Sequence, residues 1–329
     1  MIRVTLYTRK DCKLCDQAHA DLEALQEKIP HELVVVGIDD EPDLLSAYGE
    51  RVPVIEVGPY KLDAPFDLRK LQVTIGAARD RADQNEEIGS KRHRSKQKRS
   101  RTFSRGDQIT YWISRRYLLL LNVLLLLYFG LPFLAPVLMN AGLTGLARPI
   151  YTVYGAVCHQ MAFRSWFMFG DQPAYPRAAA GVEGLVPYGE ATGENEAALL
   201  DARRFIGNEQ IGYKVAFCER DVAIYAGMFV FGIIYAFSKR RLWALPWYLW
   251  IVVGIGPIAI DGFSQLFSQL PGFTLWAYRE STPFLRTLTG ALFGITTAWF
   301  GFPIVDETMG ETRTLLAAKL ARIKKTSAG

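Results

Sequence analysis

Four cysteines stand in the 329-residue chain, at Cys12, Cys15, Cys158 and Cys218, too few for a disulfide-rich secreted scaffold. The first two form a C-x-x-C pair, Cys12-Lys13-Leu14-Cys15. If a helix begins there, the i, i+3 spacing puts both sulfurs on one face, within reach of a disulfide. Unpaired N–H groups and partial positive charge at a helix N-terminus stabilise a thiolate, and Lys10 and Lys13 add cationic charge. The chemistry expected is thiol–disulfide exchange, with Cys12 as attacking thiolate and Cys15 as resolving thiol. A zinc site would need a second C-x-x-C or a His pair nearby, and neither is present in this part of the chain.

A second group of chemistry-bearing residues lies at the ends of apolar stretches. It comprises Cys158-His159-Gln160, Arg164-Ser165 and Cys218-x-Arg220, then Asp261-Gly262, Gln265, Arg279-Glu280-Ser281 and Arg286. Ionisable groups beside lipid are expensive and find partners, so Cys158, His159, Cys218, Arg220, Asp261, Arg279 and Glu280 define a candidate second site. Three readings of the two cysteines stay open: a structural disulfide, a redox-active pair, or a metal site drawing on Cys158, His159, Cys218 and Asp261. The charged residues fit ion pairs that close a helix bundle better than a transport path.

The elements that must position these residues differ between the two halves. Residues 1 to about 80 read as a small α/β domain. Val4-Thr5-Leu6-Tyr7-Thr8 is a strand, Leu14, Ala18, Leu22 and Leu25 recur at helical spacing, and Leu33 to Ile38 is a buried strand. Val52-Pro53-Val54-Ile55 opens a third strand, and Asp67 to Ala78 closes the domain as a helix. Residues 81–116 read as a basic linker with ten Lys or Arg residues and one acid, Asp107, between Lys91 and Arg116. Such a run suits a solvated tether touching anionic lipid headgroups. Nucleic-acid binding is not expected, because no folded basic module or aromatic interleaving accompanies it.

Four stretches then suffice to cross a bilayer: Tyr117 to Met139, Val222 to Ser238, Leu242 to Ile260 and Thr287 to Val305. The linker, Lys239-Arg240-Arg241 and the 306–329 tail with Lys319, Arg322, Lys324 and Lys325 then fall on one side. By the positive-inside rule that side is cytoplasmic, so both termini are expected there, in a multi-pass protein of the cytoplasmic (inner) membrane. The chain opens without the apolar run of a signal peptide, which agrees. Residues 140–221 form the expected outside loop; its stretch Asp171 to Tyr213 holds seven acidic and three basic residues. A fifth span over Ile150 to Gly170 would put two basic clusters on the wrong face, so that segment reads as an interfacial or re-entrant helix.

Val4 to Thr8, Cys12-x-x-Cys15 and Tyr48-Gly49-Glu50-Arg51-Val52-Pro53-Val54 together resemble small glutaredoxin-like domains of the thioredoxin superfamily. The resemblance implies a thioredoxin fold, dithiol exchange, and a cis Pro53 that with Val52 holds an incoming chain in extended form. It also brings glutathione into view as a thiol partner. Two positions depart from it: Lys13-Leu14 replaces the usual Pro-Tyr, and the glutathione-binding Gly-Gly and Asp pattern is missing after Pro53. The C-H-Q, C-x-R…Y-x-G and D-G…R-E-S…R-x-x-T-G words, from about residue 117 to 305, resemble an uncharacterised prokaryotic membrane family, domain of unknown function 2085. That family carries no activity with it. A redox-active Cys158–Cys218 pair would resemble membrane quinone-linked thiol oxidases and would imply a quinone cofactor.

The expected function is a membrane-tethered thiol–disulfide oxidoreductase acting on protein or small thiols. Its rival is a transporter or sensor in the membrane half, regulated by the thiol domain.

Overall fold

In the computed structural model, residues 2–87, 102–272 and 275–328 are described. They fall into two compact units, one of residues 1–116 with 308–329, the other of 117–307.

The first unit is built on a four-stranded sheet. Its elements run β1 (Ile2–Thr8), α1 (Lys13–Gln26), β2 (His31–Gly37), α2 (Pro42–Tyr48), β3 (Val54–Val57), β4 (Tyr60–Asp63) and α3 (Leu68–Glu87). Strand order is β2-β1-β3-β4, with β1 parallel to β2 and antiparallel to β3. That is the thioredoxin-like arrangement. Alternation along the strands divides the side chains between two faces. Val4, Leu6, Ile55 and Val57 pack with Ala18 and Leu22 of α1 and Leu71 and Ile75 of α3. Tyr7, Val36 and Val54 face the other way, against Leu44 and Tyr48 of α2. This second face also receives Ala317, Ala318 and Ala321 from the end of the last helix, all buried.

Parts of the expected basic linker and tail are helical. Helix α3 runs through Glu87, and α4 (Arg105–Asn140) begins within the expected linker; residues 88–101 of that linker lie outside the described residues. The 306–329 segment is helical to Ala328, because its Ala-rich face can approach the sheet closely while its Lys and Arg residues remain at the rim.

The second unit contains α5 (Thr144–Gly155), β5 (Ser165–Met168), α6 (Tyr188–Thr192), α7 (Leu199–Arg204), β6 (Gly207–Asn208), β7 (Gly212–Cys218), α8 (Glu219–Phe237) and α9 (Trp247–Ser268). Most of α4 and the first part of α10 (Pro283–Ala328) belong to it as well. Helices α4, α8, α9 and α10 are long and apolar enough to cross a membrane. They expose rows of large apolar side chains such as Leu119, Val123, Leu124 and Leu127, as lipid contact requires.

The third span lies several residues later than expected, at Trp247–Ser268 rather than Leu242 to Ile260. Lys239 and Arg240 take left-handed backbone conformations (φ 55° and 60°) just after α8, and a segment without regular structure follows before Pro246 caps α9. Within α9, Trp250–Ile255 widens into a π-type stretch just before Pro257, whose missing N–H interrupts the α-helical ladder. The 140–221 segment is more than a loop: β5-β7-β6 form a three-stranded sheet over a core of Phe163, Phe167, Tyr175 and Tyr188. Residues 150–170 are the end of α5, a 3-10 turn at Ala162–Arg164 and β5, and hold no helix long enough for a fifth span.

Helices α8 and α10 meet through glycines. A Cβ at Gly294 would strike the Ile224 carbonyl, and one at Gly290 would lie 2.6 Å from the Arg220 carbonyl. The Gly-x-x-x-Gly spacing thus sets a close crossing of two spans, one of the few ways apolar helices gain contact in lipid.

Candidate functional site

In the first unit, Cys12 is the N-cap of α1 and its Sγ accepts the Cys15 N–H at 3.2 Å. Cys12 and Cys15 are joined as a disulfide with Cα atoms 5.2 Å apart. Their environments differ: Cys15 is buried, whereas Cys12 is half-buried and flanked by exposed Asp11, Lys13 and Leu14. Of the two sulfurs, that of Cys12 is the one nearer solvent. Pairing of Tyr7 with Val54 sets Pro53 across from Thr8, at the end of the sheet from which the Cys12 loop departs. The Val52–Pro53 peptide is cis, as is Ala64–Pro65. Pro53 is buried and Val52 half-buried.

Beneath this end of the sheet is a polar pair that the sequence did not disclose. The Tyr7 hydroxyl donates to Glu56 at 2.9 Å, and burial together with the Glu56 charge raises Tyr7 far above the ordinary tyrosine range. Tyr7 stays a donor. The Tyr48 ring stacks obliquely on Tyr7 at 4.9 Å and carries Lys61 Nζ 4.4 Å from its centroid.

In the second unit the candidate residues separate into three linked groups. Cys218 caps α8, its sulfur accepting the Asp221 N–H at 3.5 Å, and Cys158 Sγ accepts the Gln160 N–H at 3.5 Å. Both thiols are unbonded. The two sulfurs and an Asp221 carboxylate oxygen lie within 4.8 Å of one another. The single Cys218 proton faces two acceptors, Asp221 at 3.1 Å and the Cys158 sulfur. Donation from Cys218 lowers the Cys158 thiol below the ordinary cysteine range, while making that bond, together with burial, raises Cys218. His159 is exposed and stands apart from this cluster, on the wall of the same cavity, whose volume is about 290 Å³.

Asp261 is held elsewhere. It accepts from Arg220 at 2.5 Å, Arg279 at 2.8 Å and the Ser281 hydroxyl at 2.7 Å. Its carboxylate is committed to those donors, so it does not join Cys158 and Cys218 as the metal reading of those cysteines would have it; Asp221 is the acid beside the thiols. Glu280 forms the third group, fully buried, accepting from Arg164 at 2.8 Å, Arg177 at 3.3 Å, Gln265 at 2.9 Å and Arg286. Arg286 also reaches Glu219 at 3.4 Å, linking α10 to the start of α8. Buried charges in such numbers persist only when each finds a partner.

Sequence reading passed over Asp221, Glu219, Arg177 and Lys214. Lys214 is completely buried in β7, and its Nζ donates to the carbonyls of Gln160 at 2.7 Å and Arg203 at 2.6 Å. Burial lowers it to about 7. Nothing local marks it, because a lysine in a β-strand ordinarily faces water.

Family comparison matches this division. A family model described as a glutaredoxin-like domain matches residues 3–80, and one described as a predicted membrane protein, domain of unknown function 2085, matches residues 205–300. The chain thus carries an N-terminal glutaredoxin-like domain with a thioredoxin-like fold and a C-terminal membrane domain. The membrane match is shorter than the stretch from 117 to 305 that the motifs suggested, and Cys158 and His159 lie outside it.

Among relatives, the uncharacterized protein MJ1492 of Methanocaldococcus jannaschii is 28% identical over 201 residues, covering 59% of this chain and 95% of that protein. The X-ray structure of the structural-genomics target protein XcR50 from X. campestris is 46% identical, covering 22% of this chain and 96% of that one, with a TM-score of 0.20.

Proposed function

We propose that this protein is a membrane-tethered thiol–disulfide oxidoreductase whose exchange chemistry belongs to Cys12 and Cys15. One observation carries the reading: of the two bonded sulfurs, the accessible one caps the helix and accepts its amide, while its partner is buried. In the reducing direction the Cys12 thiolate attacks a substrate disulfide, forms a mixed disulfide and releases one substrate thiolate. The Cys15 thiol, losing its proton to solvent, then attacks Cys12 Sγ, closes the Cys12–Cys15 bond and releases the second thiolate. Run backwards, the bonded form oxidises a dithiol. Val52 and Pro53 sit where an extended substrate would lie beside Cys12. Protein thiols or a small thiol such as glutathione are the substrate class.

The four-helix unit serves as anchor in a cytoplasmic membrane, with both termini and the basic clusters on the cytoplasmic side against anionic headgroups. In intact cells a membrane-impermeant maleimide should then leave Cys12 and Cys15 unlabelled, even after reduction, until lysis. Labelling before lysis would reverse the orientation.

Exchange itself is tested by Cys15→Ser, which should trap a mixed disulfide on Cys12, and by Cys12→Ser, which should abolish reduction of a model disulfide. Undiminished turnover in Cys12→Ser would remove the reading. The cavity lined by Cys158, Arg164, Arg220 and Arg286 favours one alternative, a transport or sensing activity in the membrane unit under thiol control. In that case Cys12→Ser would change its redox response and leave the activity itself in place.

A further inference from the structure

We infer that Cys158, Cys218 and Asp221 form a binding site for a borderline-soft divalent cation of the zinc type. The inference is independent of the Cys12–Cys15 chemistry. The ligand atoms of the three residues converge within 4.8 Å of one another. Bonds of about 2.3 Å to sulfur and 2.0–2.2 Å to oxygen place these ligand atoms roughly 3.5–3.8 Å apart around a tetrahedral zinc ion. The Cys218 Sγ–Asp221 hydrogen bond of 3.1 Å needs to lengthen by only a few tenths of an ångström when an ion replaces its proton.

The ligands come from two fixed places. Cys218 and Asp221 are the cap and first turn of α8, and Cys158 follows α5, with α5 and β7 packed in one aromatic core around Tyr151, Tyr154 and Phe217. Each sulfur already accepts a main-chain N–H, from Gln160 and from Asp221, which is the outer-sphere support that metal thiolates receive.

The guanidinium groups around the cavity do not oppose a cation there. Arg220 is bound to Asp261, Arg286 to Glu219 and Glu280, and Arg164 to Glu280. Two thiolates and a carboxylate would leave a surplus of negative charge that a divalent ion offsets. All three ligands line the same cavity of about 290 Å³, so the remaining coordination position is open to water or an exogenous ligand. A carboxylate wedged beside two unbonded thiols also distinguishes this pair from the bonded Cys12–Cys15 pair.

The test uses full-length protein in detergent, reduced, untagged, and carrying Cys12→Ser and Cys15→Ser to silence the other pair. Titration with Co²⁺ should give near-ultraviolet sulfur-to-cobalt charge transfer saturating at one equivalent and displaced by Zn²⁺. Asp221→Asn keeps the side-chain shape and should weaken Co²⁺ binding at least tenfold. Asp221→Cys should restore affinity with a stronger charge-transfer band, which guards against mere misfolding in the Asn variant. Absence of the band in the parent protein would overturn the site. So would a band indifferent to Asp221→Asn, or recovery of Cys158 and Cys218 as a disulfide that excludes the ion under the same reducing conditions.

Discussion

Arg322 Nη1 lies 3.3 Å from Glu56 Oε1, joining residues 266 positions apart in the chain. Glu56 belongs to β3 and also accepts from Tyr7, so the end of α10 is fastened to the central strands of the glutaredoxin-like sheet. The apolar side of the same fastening is Ala317, Ala318 and Ala321 against Tyr7, Val36 and Val54.

Ala318→Asp should therefore unseat this helix end and destabilise the first unit by more than about 2 kcal/mol, since a carboxylate there is buried in the apolar cluster with Tyr7, Val36 and Val54. Hydrogen exchange of β2 amides would read the loss. Leu315→Asp, at a position 67% exposed on the same helix, should leave exchange unchanged.

Glu280 balances three guanidinium groups with one fully buried carboxylate. Replacing it by Gln leaves Arg164, Arg177 and Arg286 without that charge, and loss of one partner in a buried network costs about 3–5 kcal/mol. Thermal unfolding in detergent should show a large fall for Glu280→Gln. The exposed pair Arg51–Asp63 belongs to the class of surface bridges worth little, so Asp63→Asn should barely register.

The α8–α10 crossing should be equally sensitive to a single methyl group. Gly294→Ala would push a Cβ into the Ile224 carbonyl and force the helices apart, at about 1–3 kcal/mol. Gly301→Ala, in the same helix but with open space around its Cβ, should be neutral or slightly stabilising. Comparing the unfolding temperatures of the two variants measures the difference.

Lys214 predicts a pH dependence. Folded, its amine sits at about 7 against an ordinary 10.5, because burial disfavours the charge. Between those values the unfolded chain binds a proton that the folded chain has released, so stability rises with pH across that window. Below it both forms are protonated and the penalty is constant. Unfolding temperature should climb between pH 7 and about 10 in the parent, and Lys214→Met should flatten that rise. The same variant leaves the carbonyls of Gln160 and Arg203 without this donor and should lower stability by about 2 kcal/mol near the upper end of the window.

Much of this protein was legible from its residues. The C-x-x-C after a β-rich run, the continuous apolar run from Leu33 to Ile38 and the Val52-Pro53 pair placed a thioredoxin-like fold over the first 80 residues, because apolar patterning and helix capping are local properties. Four long uncharged stretches likewise announced a membrane unit, since crossing a bilayer is set by length and apolarity alone. The third span shifted only because backbone conformation at Lys239 and Arg240, invisible to hydropathy, decided where α9 begins.

What tertiary structure decided was partnership. Asp261 and Asp221 are both acids near the same motifs, yet packing gave Asp261 to Arg220, Arg279 and Ser281 and left Asp221 beside the thiols. Lys214 became a buried donor and the Ala-rich end of α10 became part of a sheet's core, neither of which any local pattern encodes. The reason is physical: periodicity fixes which face a side chain takes on its own element. Which distant group satisfies it depends on how buried charge and open volume are shared once the elements pack.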